Sequence, residues 1–121
     1  SSPNTPNLRE LQKADALAEL LGAIQNRGVE LNAQTGRAVP LLVKIAPDLT
    51  DAEIESIAGI CLDLNLSGII AVNTTVSRAH LRTPADEIER IGQGGLSGKP
   101  LHRRSTEVIS KIYRFTGGRL P

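Results

Sequence analysis

Apolar residues fall along this chain in two rhythms. Over residues 51–64 they recur at three- and four-residue steps. Ile54, Ile57, Ala58, Cys61 and Leu64 make one stripe, the mark of an amphipathic helix. Thr50 and Glu53 stand at the T-x-x-E spacing of a capping box, which predicts the helix start. On either side lie residues 40–46 (Pro-Leu-Leu-Val-Lys-Ile-Ala) and 68–73 (Gly-Ile-Ile-Ala-Val-Asn), short and almost wholly apolar, with no clean alternation. Strands of a parallel sheet covered on both faces look like this. Strand, helix, strand is a βαβ unit.

A second helix is predicted over residues 15–26, with Leu17, Leu20, Leu21 and Ile24 as its stripe and Gly28 as its end. A third is predicted over 102–116. There Ser105, Val108, Ile109 and Ile112 share a face, and Gly117-Gly118 stops it. Residues 29–39 read as a polar linker. Residues 76–93 read as a longer excursion with a short helix near 84–90. Only two whole strands are present, which leaves both sheet edges unpaired and much apolar surface uncovered. Such a chain is expected to fold poorly alone. The fold class is therefore read as α/β: roughly three βα units of a larger barrel, with residues 1–6 leaving one strand and 118–121 approaching another.

Composition narrows the chemistry. With 40% hydrophobic and 22% charged residues the chain is globular in type. A net charge of +1 with interspersed signs argues against a nucleic-acid surface. Tyr113 and Phe115 are the only aromatic residues, too few for a base-stacking platform. Cys61 is the single cysteine, so no internal disulfide and no Cys-based zinc site can form; its place on the helical stripe favours a small hydrophobe over a reactive thiol. No apolar run approaches the roughly 20 residues that span a bilayer.

Three polar groups stand where strands end. Lys44 interrupts an apolar strand, and a lysine there needs an anion or acceptors, or must snorkel to solvent past the strand end. Asn73-Thr74-Thr75 leave the second strand as a cluster of donors and acceptors, either a site or a simple turn. Period-two alternation puts Asn73 on the face of Ile69 and Ala71. The opening Ser1-Ser-Pro-Asn-Thr-Pro6 occupies the same kind of position if it follows a strand. Barrel sites are built at the carboxyl ends of several strands, so three such clusters together favour catalysis. Gly94-Gly-Leu-Ser-Gly-Lys-Pro100 precedes a helix and is either a backbone cradle for phosphate or a plain flexible loop. It fits neither a dinucleotide fingerprint nor a Walker A loop. His80 and His102 lie outside the strand-end cluster and read as surface residues. Arg103-Arg104 reads as a solvated helix start.

Taken together, these residues resemble dihydroorotate dehydrogenase. Residues 1–12 (Ser-Ser-Pro-Asn-Thr-Pro-Asn-Leu-Arg-Glu-Leu-Gln) resemble the family's signature after its fourth barrel strand. Residues 40–49 resemble its fifth strand and the loop beyond. Ala71-Val-Asn-Thr-Thr-Val-Ser77 resembles the end of its sixth, and residues 94–101 its flavin-side loop. The match runs essentially end to end, in consistent order. It implies the central part of one FMN-binding (β/α)₈ barrel domain over residues 1–121, from the end of strand 4 to helix 6. Ser2 stands where the cytosolic class carries Cys, so the resemblance implies the quinone-dependent class.

In that class FMN takes a hydride from C6 of dihydroorotate while a base removes a proton from C5. Orotate leaves, and ubiquinone or menaquinone reoxidises the flavin. The roles implied are Ser2 as base, with Thr5 in the relay a serine needs at neutral pH. Asn4, Asn73 and Thr74 hydrogen-bond the substrate. Lys44 faces the flavin, and Val72, Ser97 and Gly98 lie on the FMN side. The sequence departs from the family at two places. Asn7 stands where Gly is usual, and Asn is the next best residue for a left-handed backbone. Val72 stands where Thr often touches FMN. The resemblance also implies membrane association through segments outside this chain, no nucleic-acid partner, and no catalysis by this segment alone. Two other readings are another phosphate-binding barrel enzyme, such as an aldolase or isomerase, and a non-catalytic truncated product.

Overall fold

The structure, a computed structural model, describes residues 1–5 and 7–121; Pro6 of the opening motif lies outside the described residues. After a 3₁₀ turn at Leu8–Gln12 come α1 (Ala14–Thr35), β1 (Leu42–Ile45), α2 (Asp51–Asp63), β2 (Gly68–Ala71), α3 (Ala85–Ile91) and α4 (Lys99–Thr116). β1 and β2 are parallel, with Leu42, Val43, Lys44 and Ile45 opposite Gly68, Ile69, Ile70 and Ala71. α2 is the crossover between them, so the βαβ reading holds. Ser67 N–H donates to Leu41 O and Asn73 N–H to Ile45 O, which carries the ladder beyond both strand ends. On the far edge of β2, Ile69 N–H donates to the Pro121 carbonyl at 2.9 Å, so the last residues lie along that edge.

The start of α2 follows from its sequence. Thr50 Oγ1 accepts from Glu53 N–H at 3.3 Å, and Glu53 Oε2 accepts from Thr50 N–H at 2.7 Å. Two otherwise orphaned donors are satisfied, a contribution of about 1 kcal/mol. The apolar stripe of α2 then packs into one core. Ile54, Ile57 and Cys61 meet Ile45 from β1, Val108 and Ile112 from α4, and Leu17 and Leu21 from α1. The opposite face of the sheet is open. Leu42 and Ile70 are 43% and 47% exposed, and Lys44, paired in register with Ile70, stands between them on that face.

Several expectations change. α1 does not stop at Gly28 but runs to Thr35, and Gly36 in the left-handed region (φ 66°) ends it. A glycine inside a helix costs only about 1 kcal/mol. Good helix formers follow it, Arg27 pairs with Glu30 across it, and Gln25 Nε2 anchors the helix on Leu64 O at 2.7 Å. Most of the expected linker is therefore helix. α4 begins three residues before the predicted His102, with Gly98 as its cap and Pro100 in its first turn, where a missing N–H costs nothing. Its buried side is Val108, Ile112 and Thr116, while Ile109 is 51% exposed, because neighbours in sequence point about 100° apart on a helix. The 3₁₀ turn at Leu8–Gln12 has no periodic signature and was not expected. Its Gln12 is buried and accepts from Ala46 N–H at 2.8 Å, where β1 runs out of ladder partners.

Candidate functional site

The carboxyl ends of β1 and β2 point the same way, and three loops meet there. The first is the opening segment. Asn4 N–H donates to Ser2 Oγ at 3.2 Å, which turns residues 2–4 back on themselves. Thr5 is exposed and its carbonyl accepts from Leu8 N–H. Asn7 has φ 59°, so the left-handed turn usual for glycine survives with asparagine.

The second is the exit of β2. The strand stops at Ala71, so the period-two count does not carry to Asn73; the Ala71–Val72 peptide bond beyond it is cis. Asn73 is aimed by its bonds instead. Its Nδ2 donates to Ser1 Oγ at 3.0 Å, and its Oδ1 accepts from Thr74 N–H at 2.9 Å. A carboxamide has both donor and acceptor to use in this way. The opening segment and the β2 exit are thereby joined. Val72 and Thr74 are partly buried beside it.

The third is the glycine loop. Thr75 and Leu96 exchange both backbone hydrogen bonds in an antiparallel bridge, at 3.0 and 2.8 Å. Arg78 Nη2 donates to Gly94 O at 2.7 Å. A Cβ on Gly95 would lie 2.0 Å from Thr74 Oγ1, 2.6 Å from Thr74 Cβ and 3.1 Å from Pro3 Cγ. Only glycine lets this loop touch both other segments. Ser97 and Gly98 lie further along, exposed; Gly98 has φ 82° and caps α4. They are not brought into contact with Ser2 or Asn73.

Lys44 lies near the carboxyl end of β1, and it forms no ion pair with any described residue. It stands with Leu42 and Ile70 on the uncovered face of the sheet.

Sequence reasoning missed the groups that brace these loops. Arg9 Nη1 bonds Asp48 Oδ2 at 2.8 Å, and Arg9 Nη2 donates to Thr74 O at 3.2 Å. Asp48 also accepts from the Thr75 hydroxyl and from Val76 N–H. Partial burial pushes its carboxyl up; the bonds from Thr75, Val76 and Arg9, with the Arg9 charge, outweigh burial and hold it below the ordinary value. Only the types and places of Arg9 and Asp48 in their motifs could have signalled this. Arg104 is no solvated helix start. It donates to Pro47 O at 2.8 Å and Leu49 O at 2.6 Å and fastens α4 to the loop after β1. Arg103 is exposed and pairs with Glu107. His80 and His102 are exposed, and His80 lines a surface cleft with Thr75 and Leu96. Cys61 is sealed in the core, and burial raises its pKa to about 11, the behaviour of a packing residue and not a nucleophile.

Parallel strands joined by a helix, with polar groups gathered at their carboxyl ends, define the α/β enzymes whose sites sit beyond the strand ends. The comparisons name the branch. The family model described as dihydroorotate dehydrogenase matches residues 1–121, and the chain belongs to that family. The dihydroorotate dehydrogenase (quinone) of Pseudarthrobacter chlorophenolicus is 52% identical over 120 residues, covering 99% of this chain and 33% of its own length. That of Corynebacterium glutamicum (strain R) is 47% identical over 117 residues, covering 97% of this chain and 29% of its own. Among solved structures, DHODH from Eimeria tenella in complex with ferulenol superposes with a TM-score of 0.87 at 40% identity, covering 99% of this chain and 35% of that one. The chain thus spans about a third of the length of the relatives it matches. Nothing in these matches favours an aldolase, an isomerase or a non-catalytic product.

Proposed function

We propose that residues 1–121 form the central part of the FMN-binding (β/α)₈ barrel of a quinone-dependent dihydroorotate dehydrogenase, from the end of strand 4 to helix 6. The observation that carries this is the junction of the opening segment, the β2 exit and the glycine loop at one end of the parallel strands, tied by the Asn73–Ser1 hydrogen bond. Its support also includes the relatives named as quinone enzymes.

In this reading Asn4, Asn73 and Thr74 bind the cyclic ureide and its carboxylate, and the donor–acceptor pairs of the carboxamides set its orientation. Ser2 Oγ accepts the proton from C5, and Thr5 leads it away, since a serine hydroxyl is a weak base near pH 7. Lys44 faces the flavin and balances negative charge there, with Val72, Ser97 and Gly98 along the same side. FMN, when bound, supplies the acceptor for the hydride from C6. Orotate is the product. Ubiquinone or menaquinone and a peripheral membrane surface are partners through parts of the protein outside this chain, and nucleic acid is not among them.

The test uses the protein bearing this segment at the length of its relatives. Adding dihydroorotate without quinone should bleach bound FMN. Ser2→Ala should lower turnover by roughly 10²–10⁴-fold, the usual worth of a positioned base, with flavin still bound. Full turnover in that variant would remove Ser2 from the mechanism.

A further inference from the structure

The turn leaving β2 is held from outside itself. The Thr74 N–H is bound by the Asn73 carboxamide and the Thr74 carbonyl by Arg9 Nη2, so the backbone is pinned on both sides of the residue. One step on, the Thr75 hydroxyl donates to Asp48 Oδ1, and Val76 N–H donates to Asp48 Oδ2 at 3.1 Å. Arg9 Nη1 closes the ring on Asp48 Oδ2 at 2.8 Å. Arg9 comes from the opening turn, Asp48 from the loop after β1, and residues 74–76 from the loop after β2. One ion pair therefore ties three loops together, and the two loops that follow β1 and β2 are successive strand exits.

A guanidinium is the side chain that permits this. Its terminal nitrogens sit on a rigid fork and serve a carboxylate and a carbonyl at once, where a lysine offers one flexible point charge. The Arg9 and Asp48 side chains are 26% and 25% exposed, so water screens the pair only in part. Arg9 Nε is buried and finds no acceptor among the described residues, a cost that the two terminal contacts must outweigh.

We infer that Arg9 and Asp48 are positioning residues for the substrate rim, setting where Asn73 and Thr74 present their polar groups. The inference rests on the reading of that rim as the dihydroorotate site. Neither side chain is among the groups assigned to touch substrate or flavin; they act through Thr74, Thr75 and Val76.

Arg9→Lys, Asp48→Asn and the double variant test it in the flavin-loaded, full-length protein. The readouts are kcat and KM for dihydroorotate, the Kd of orotate by calorimetry, flavin content and melting temperature. Each single variant should raise KM and the orotate Kd by about tenfold, the worth of a hydrogen bond to a charged group. Changes in kcat should be much smaller, and flavin content should be kept. The double variant should be no worse than the poorer single one, because both break the same link. Unchanged KM and Kd, effects that multiply in the double variant, or losses that follow flavin release or melting would overturn the assignment. If Asp48→Asn does not fold, Arg9→Lys decides alone, since it keeps the charge beside Asp48 and removes only the fork. Unsubstituted protein whose flavin dihydroorotate fails to bleach ends the underlying reading, and the assignment with it. Normal bleaching with unaffected variants ends the assignment only.

Discussion

On the side of the sheet covered by α2 and α4, Ile45, Ile54, Ile57 and Val108 are no more than 1% exposed and meet one another only through apolar contact. At the end where the strands stop, the same backbone carries Ser1, Asn73 and Thr74, and beside them Thr75 and Asp48, joined by single directional hydrogen bonds. The covered side is held by many weak, undirected contacts, so it resists small errors of angle and suffers from lost volume. The rim is held by a few contacts of fixed geometry, so it tolerates little displacement and contributes little to burial. Stability belongs mainly to the first region and the proposed chemistry to the second, and substitutions should separate them.

The largest effect expected on stability is in the core. Ile57→Ala should destabilise the protein by about 2–5 kcal/mol through the cavity it leaves. Thermal melting checks this, and activity per folded molecule should be nearly unchanged. A large fall in kcat at a normal melting temperature would break the separation. Gly95→Ala is the converse. Its Cβ would overlap Thr74, so the glycine loop or the β2 exit must shift. A displacement of that order costs about 10²-fold in turnover, with a melting temperature close to the parent.

The smallest effect concerns acid. The folded-state pKa of Asp48 lies below its ordinary value. Its contribution to stability is therefore complete above the unfolded value of about 3.9 and is lost as pH falls through the folded value. The stability difference between the parent and Asp48→Asn, read from urea melts, should be flat from pH 7 to about 5 and shrink below about 4. A difference that instead shrinks on the alkaline side would mean that Asp48 is not the anion of this pair.

Much of the covered side was legible beforehand. The stripe of α2, its capping box and the two unpatterned apolar strands each follow a local rule, and each stands within a residue or two of its expected place. The left-handed Asn7 was expected from the resemblance, in which glycine is usual at that place. The length of α1 was not. Gly28 looked like a stop, yet helix continuation depends on the sum of many small preferences and on anchors such as Gln25 to Leu64. The rim was legible as residue types in motifs, and Ser2, Asn73 and the glycine loop could be named. The contacts of Arg9, Asp48 and Gly95 were silent, because nothing near them in the chain reveals what they touch.

The sequence by itself determined the periodic elements, their order and the cap that starts α2, since these depend on neighbours within about four residues. It also determined the types of polar group that reach the strand ends. Only the tertiary structure decided which of those groups meet, such as Asn73 with Ser1, 72 residues away, and Arg9 with Asp48, 39 away. Contacts at such separations leave no period in the chain; they exist only once the backbone has brought its distant loops together.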